Sequence, residues 1–377
     1  MKIAVIAHNL HAGGGFTVGN SIISTLLQIA PEHEYLMLVP MSCGYVPAEA
    51  PARVKFIEAP CKPLTDRMIW ERRHLNQLLT NFRPDWLWGL GNLAYPAVKC
   101  RQSILLHNPH RVYYHEGYRR SLSLSRRLIE RYLDWKIGSD IKFVDRVYCQ
   151  TQIMRDKVCE RFDIPMEKTG LCPNAVKADF NQPTEIPVEL GPYYKNKFII
   201  FVPTRYYPAK NLEILVSTFA KHRDKLADTI CVLLVSEDQG RGAANFIKRI
   251  KHEKLHKQLI CLGSRPQEMM PQYYFAADAM LLPTELESFS GSYIEAMYFE
   301  RPILTSKLDF AMELCENAAL YFDQRDPDDV CRAILQVKDN EAMRGKMVLS
   351  GKKIISKMPS WMEIIGNVLD NEGISRK

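Results

Sequence analysis

Three short stretches of the 377-residue chain bring together residue types that could do chemistry. In the first, Phe201-Val202-Pro203-Thr204-Arg205 closes an apolar run and Lys210-Asn211 opens a helical one. Two cations in a loop after a strand can clamp a diphosphate from two sides, and a guanidinium can do so bidentately. Spacing alone carries little weight among 50 basic residues, so the strand–loop–helix context is the argument. The second stretch runs from Pro283 to Met297, after the apolar run Ala279–Leu282. Its Glu287 and Glu295 are no helix-face pair, because eight steps leave them about 80° apart and about 12 Å along the axis. Glu287 therefore belongs to the loop and Glu295 to the first turns of the helix. Between them Ser288, Ser290, Gly291 and Ser292 offer hydroxyls and free N–H groups at a helix N-terminus. That is a phosphate seat flanked by two carboxylates, suited to a ligand with hydroxyls on both sides of a phosphate, such as a nucleotide sugar. An acidic, N-capped helix is the competing reading.

The third stretch, His8-Asn9-Leu10-His11-Ala12-Gly13-Gly14-Gly15, ends the first apolar run. A glycine-rich turn between strand and helix lets backbone N–H groups approach a phosphate. The dinucleotide fingerprint is not met, since Val18 stands where its third glycine belongs and Gly19 comes one position late. No Lys-Ser/Thr follows, so the Walker pattern is absent too. A tight packing turn remains the alternative.

These stretches sit within alternating strand-like and helix-like segments. Lys2–Ala7, Glu34–Val39, Val54–Ala59, Trp86–Leu90, Ile104–His107 and Arg146–Gln150 read as buried strands in the first half. Phe198–Pro203, Ile230–Val235, Leu259–Gly263, Ala279–Pro283, Ile303–Thr305 and Ala319–Phe322 do so in the second. Helices fit between nearly all of them, including Gly19–Ala30, Asp66–Phe82, Ser121–Ile137 and Gln152–Phe162. Short apolar strands separated by helices predict a parallel sheet covered on both faces, and the pattern occurs twice. The expected class is α/β, with two doubly wound, Rossmann-like domains facing a central cleft. Asn181–Asn196, with Pro183, Pro187, Gly191 and Pro192, reads as the linker. The expected domains are residues 1–182 and 183–358, followed by a helix over 359–377 that opens with the capping box Ser360…Glu363 and packs back toward the first domain.

Composition narrows the class. The chain is 46% hydrophobic and 25% charged, with a mean hydropathy of −0.21, as in an ordinary globular protein. No apolar run approaches the ~18 residues that cross a bilayer. The ten cysteines are scattered, with no metal-ligand spacing, which predicts a reduced, cytoplasmic chain without structural zinc. Asp326-Pro327-Asp328 reads as a helix start more readily than as a metal seat. The net charge is +7, and the whole excess lies in residues 1–180. Arg111–Lys136 mixes basic residues with Tyr113, Tyr114, Tyr118, Tyr132 and Trp135, which suits an anionic membrane surface; a solvated helix face is the alternative. No recognition module accompanies the patch, so nucleic acid is not expected.

The sequence resembles the family-4 retaining glycosyltransferases of the GT-B fold (glycosyl transferases group 1). The resemblance rests on Glu287…Glu295-Ala296-Met297, on Asp278–Thr284, Arg301–Ser306, Glu313 and Ala318–Phe322, and on Cys172-Pro173-Asn174-Ala175-Val176 and Thr204-Arg205…Lys210-Asn211-Leu212. The first half matches at fold level and through the glycine stretch and Ile104-Leu105-Leu106-His107. Departures include Ala175 after Asn174, Glu300-Arg301, and Ser288 and Ser290 around Phe289, where glycine is common. The resemblance implies a metal-independent hexosyltransferase that takes a UDP- or GDP-linked sugar and needs no cofactor. Arg205 and Lys210 would bind the donor diphosphate, Glu287 sugar hydroxyls and Glu295 ribose hydroxyls. Ser290, Gly291 and Ser292 would offer N–H groups, and the loop with Gly263 and Arg265 would border the base. Gly14 and Gly15 would approach the sugar phosphate, and His107 would lie near the anomeric centre. The acceptor expected is a saccharide or a lipid-linked saccharide in bacterial surface polysaccharide assembly (O-antigen, capsule or lipopolysaccharide), at the inner face of the cell membrane. An epimerase of the same fold, or a non-catalytic scaffold binding nucleotide sugar or membrane, are the other readings.

Overall fold

A computed structural model of the chain describes residues 1–11, 13–45, 51–61, 64–113, 124–175, 183, 185–194 and 196–375. The apolar runs become thirteen strands: β1 (Lys2–Ile6), β2 (Glu34–Pro40), β3 (Val54–Ala59), β4 (Trp86–Gly89), β5 (Arg101–Leu105), β6 (Arg146–Cys149), β7 (Thr169–Leu171), β8 (Phe198–Val202), β9 (Thr229–Leu233), β10 (Leu259–Cys261), β11 (Ala279–Leu282), β12 (Ile303–Ser306) and β13 (Ala319–Phe322). They form two parallel sheets of Rossmann-like type, ordered β3-β2-β1-β4-β5-β6-β7 and β10-β9-β8-β11-β12-β13. The chain divides into two units, Met1–Ala175 with Pro359–Lys377, and Val176–Met358.

In the first unit, alternate residues of one strand feed opposite cores, as a two-sided sheet requires. Val5, Trp86, Trp88, Leu105 and Tyr148 pack against the helices Gly13–Ile29 and Trp361–Asn371. Ala4, Ile6 and Leu87 face Leu75 and Leu79, and Ile104 and Val147 face Ile137, Met154 and Val158. The sheet register aligns Ala4 with Leu87, Gly89 with Ile104, and Ile104 with Val147. The segment Leu64–Phe82 and the helix Leu124–Asp140 thus cover the same face.

Several local expectations change. The expected helix over Gly19–Ala30 begins at Gly13, so the three glycines form its first turn. The expected helix Asp66–Phe82 starts at Leu64 and is interrupted by a π-turn, Glu71–Leu75. The strand expected at Ile104–His107 lies earlier, at Arg101–Leu105, because Asn92 takes over the backbone beyond it: its side-chain oxygen accepts from the N–H groups of His107 (2.8 Å) and Asn108 (2.9 Å). In the expected linker, Leu190 is buried in the second unit's core, with Ile186, Tyr193 and Tyr194 against it. Val176, the end of the Cys172–Val176 motif, lies outside the described residues, as do 177–182, 184 and 195. The Ser360–Glu363 capping box is present.

The basic–aromatic patch also changes character. Tyr114 and Tyr118 lie outside the described residues, but Arg111 does not face solvent. It is 6% exposed and ion-paired to Glu130 and Asp134, the latter at 3.0 Å. A buried guanidinium requires such partners, and two acids four residues apart on one helix supply them. Lys136 likewise pairs with Asp140. No described helix is long and apolar enough to cross a membrane.

Candidate functional site

In the second sheet β8 is flanked by β9 on one side and β11 on the other, so consecutive connections part at the β8–β11 boundary. Ligands of open parallel sheets bind outside the carboxyl ends of strands at such a switch point. Both chemistry-bearing stretches of this unit follow those two strands. The loops are stitched together: the Glu285 N–H and the Thr284 hydroxyl both donate to the carbonyl of Ala209, at 2.8 and 3.0 Å.

Arg205 is exposed, and its guanidinium has no partner among the described residues. Lys210 closes the 3₁₀ turn Pro208–Lys210, and Asn211 follows in the left-handed conformation (φ 50°). The Lys210 ammonium is ion-paired to Glu287, and both side chains are mostly buried. A cation from one loop and a carboxylate from the other therefore meet beyond the carboxyl ends of β8 and β11. Beyond them the helix Gly291–Tyr298 begins, with Ser290 at its N-cap making no side-chain cap bond. The backbone N–H groups of Gly291 and Ser292 point from an uncapped helix start, where an anion is favoured. A Cβ built at Gly291 would meet no atom within 4 Å, so the protein itself does not require glycine there.

Glu295 lies in this helix and accepts from Tyr274 Oη (3.0 Å) and Gln267 Nε2 (3.2 Å). These two hydrogen bonds hold its carboxylate in place. Gly263 needs its identity for the backbone (φ 77°). The Arg265 side chain is engaged within the unit: its Nε donates to Tyr273 Oη (3.0 Å) and its Nη2 to Glu189 (3.4 Å). Tyr273 donates to the same carboxylate at 2.5 Å. That hydrogen bond above all holds Glu189 below the usual carboxylate range, while burial pushes the Tyr273 phenol up to about 12. Asp326 caps the helix Pro327–Asp339, and Asp328 pairs with Lys221 and His222.

In the first unit the switch point falls between β1 and β4. Asn9 Nδ2 donates to the carbonyl of Gly91 (2.7 Å), and its side chain fills the space that a Cβ at Gly91 would need. A Cβ built at Gly14 would meet nothing within 4 Å, and one at Gly15 only the Leu10 side chain at 3.5 Å. His107 follows β5, and burial lowers its imidazole to about 4, leaving the ring neutral at physiological pH. His8, fully buried at the end of β1, is 2.7 Å from Glu71 in the π-turn. Burial would raise the Glu71 carboxyl, but the His8 hydrogen bond and the charges of His8 and Arg67 hold it below its ordinary value.

Arg205, Lys210, Glu287, Ser290, Gly291, Ser292 and Glu295 thus lie on the loops and the helix that follow β8 and β11, at the carboxyl ends of these central strands, with Gly263 and Arg265 after the edge strand β10, beyond β9. Gly14, Gly15 and His107 follow strands of the other unit. The sequence reading missed Asn92, Gln267, Tyr274, Glu189 and the His8–Glu71 pair. Only Asn92 left a signal, as an Asn-after-Gly just beyond an apolar strand.

The family model "Glycosyl transferases group 1" matches residues 184–354, and "Glycosyltransferase Family 4" matches 19–180. The GPI3 subunit of phosphatidylinositol N-acetylglucosaminyltransferase from Saccharomyces cerevisiae is 23% identical over 223 residues, which are 59% of this chain and 49% of that protein. The O-antigen biosynthesis glycosyltransferase WclY of Escherichia coli is 23% identical over 168 residues, 43% of this chain and 44% of that one. The chain spans about half the length of these curated relatives. Among solved structures, HepE from Anabaena in complex with UDP and glucose superposes with a TM-score of 0.75 at 15% identity, over 99% of both chains. WaaG, a glycosyltransferase involved in lipopolysaccharide biosynthesis, gives 0.74 at 12% identity, over 98% of this chain and 99% of that one.

Proposed function

Because this chain belongs to the group 1 glycosyltransferases and has their GT-B fold, we propose that it is a retaining hexosyltransferase that uses a nucleotide-diphosphate sugar. One observation carries the reading: Arg205, Lys210, Glu287 and the start of Gly291–Tyr298 converge on two stitched loops at a switch point. HepE structures with UDP-glucose support the ligand class.

Cleaving the anomeric C–O bond builds negative charge on the departing diphosphate and positive charge on the sugar. Arg205 approaches that diphosphate as a free guanidinium, and Lys210 shares its charge between Glu287 and the phosphate. The N–H groups of Gly291 and Ser292 complete the stabilisation with fixed dipoles that need no reorganisation. Those groups supply the neutralising charge without a metal ion. Glu287 holds sugar hydroxyls and Glu295 ribose hydroxyls; the loop of Gly263 and Arg265 borders the base. On the other unit, the open backbone at Gly14 and Gly15 suits a sugar phosphate. Neutral His107 acts as a hydrogen-bonding group near the anomeric centre rather than as a cation. The acceptor hydroxyl attacks the anomeric carbon on the face that the diphosphate leaves, so the new C–O bond forms as the old one breaks without an enzymic nucleophile, and the leaving phosphate takes the hydroxyl's proton in place of an enzymic base.

The acceptor we propose is a saccharide or lipid-linked saccharide of bacterial surface polysaccharide assembly, met at the cytoplasmic face of the membrane. The names of WclY and WaaG support this pathway class. A thermal-shift series with UDP, GDP, ADP and their sugars tests the donor: a ligand binding only the native state raises the melting temperature. One nucleotide series should shift it. No shift with any of them at millimolar concentration would contradict the proposal.

A further inference from the structure

The helix Leu124–Asp140 presents Leu124, Leu128, Tyr132 and Trp135 to solvent at 77, 65, 44 and 67% exposure. At 100° per residue these four positions fall within an arc of about 80°, and the rings of Tyr132 and Trp135 lie 6.1 Å apart. Exposed Arg131 borders this arc, about 20° beyond its Leu124 edge. The acidic side chains of the helix point elsewhere: Glu130 and Asp134 are turned inward onto buried Arg111, and Asp140 is paired with Lys136. Past the helix, Lys142 and Phe143 are also exposed, Phe143 at 66%. Apolar and aromatic groups interspersed with cations face out, while the acids that would repel an anionic surface are neutralised inside.

We infer that this outer face is an interfacial membrane-binding surface, its leucines and aromatic rings inserting at the headgroup boundary of an anionic phospholipid bilayer and Arg131 meeting lipid phosphates. Such a helix lies in the plane of the interface and owes its affinity to buried apolar area as well as charge. Tyr and Trp favour that depth because one end of each ring is apolar and the other polar. The inference rests on the proposed work at a membrane surface and gives it a specific face: an apolar stripe of one helix, in place of the whole basic–aromatic segment from Arg111.

Co-sedimentation of the full chain with vesicles of phosphatidylcholine containing phosphatidylglycerol tests it. The wild type should bind, more weakly but measurably at high salt, since insertion is less screened than charge. Trp135 fluorescence should shift to the blue and be quenched by lipids brominated in the upper acyl chain, a signal that Trp135→Phe removes. Leu128→Glu with Trp135→Glu should weaken binding by about tenfold or more. Both positions are exposed, so the melting temperature and nucleotide binding should stay unchanged. If the wild type binds and the double variant binds equally, the membrane reading survives and this face is refuted. If the wild type binds no vesicle, both fail, while nucleotide binding, measured separately, leaves the donor reading intact. A dimer whose interface shields Trp135 from quencher in lipid-free solution would also overturn the inference, by giving the stripe a second copy as its occupant.

Discussion

Removing Arg205 and removing Lys210 leave different things behind. Arg205 is exposed and has no partner among the described residues, so Arg205→Ala should leave stability unchanged and lower kcat/KM by about 100- to 1,000-fold, the scale of one lost donor to a developing anion. Lys210→Ala should cost activity on the same scale and also some stability, because Glu287 loses its cation in a mostly buried site. Steady-state kinetics with paired thermal melts separates the two. Gly291→Ala is a cleaner probe, since nothing in the protein occupies the Cβ position. It should keep the melting temperature while weakening the nucleotide's Kd by tenfold or more, as roughly one close backbone contact to phosphate is lost. His107 makes a pH prediction. Its folded value of about 4 lies below the ordinary value of roughly 6.5, so the unfolded chain binds more protons in between. The stability of the neutral ring is complete above about pH 6.5 and is lost as pH falls toward 4. Denaturant melts should therefore show wild type losing more stability than His107→Gln between pH 7 and 4.5; parallel curves would show that the ring titrates normally.

At the scale of elements, the C-terminal helix Trp361–Asn371 is fastened to the first sheet by one buried carboxylate. Glu372 accepts from Ser103 Oγ (2.7 Å) and Tyr148 Oη (2.9 Å) and faces Arg101 and Arg146. Burial and then the Glu372 charge raise the Tyr148 phenol. Glu372→Ala strands both hydroxyls and should cost about 3–5 kcal/mol in urea unfolding, whereas Ser360→Ala at the capping box should cost about 1. The helix and its cap were legible in sequence because Trp361, Ile364, Ile365, Val368 and Leu369 repeat at helical period after a Ser-x-x-Glu. Its anchor was not, since a lone Glu372 says nothing about Ser103 and Tyr148, 269 and 224 positions away. The same contrast recurs elsewhere. Strands within apolar runs stood out, even three-residue β10, but β7, whose Thr-Gly-Leu has a single large apolar side chain, did not, and the π-turn at Glu71–Leu75 left no mark in a pattern that reads as one helix.

At the scale of the whole molecule, two parallel sheets followed from the repeated alternation of strand and helix, and the candidate donor residues followed from reading loops after strands. Charge was legible as a total and misleading in direction. Sequence counts Arg111 among surface cations, yet Glu130 and Asp134 turn it inward and leave an apolar stripe in its place. Which residues clamp which is likewise tertiary: Lys210 and Glu287 are 77 positions apart and meet only because β8 and β11 are neighbours. The central claim is that a nucleoside diphosphate is gripped by Arg205, Lys210 and the start of Gly291–Tyr298. Titration calorimetry with UDP, GDP and ADP on wild type and on the Arg205→Ala/Lys210→Ala double variant measures it directly. One nucleotide should bind wild type, and the double variant, still folded, should lose at least about 100-fold in affinity. Undiminished binding by the double variant, or none of the three bound by wild type, contradicts the account.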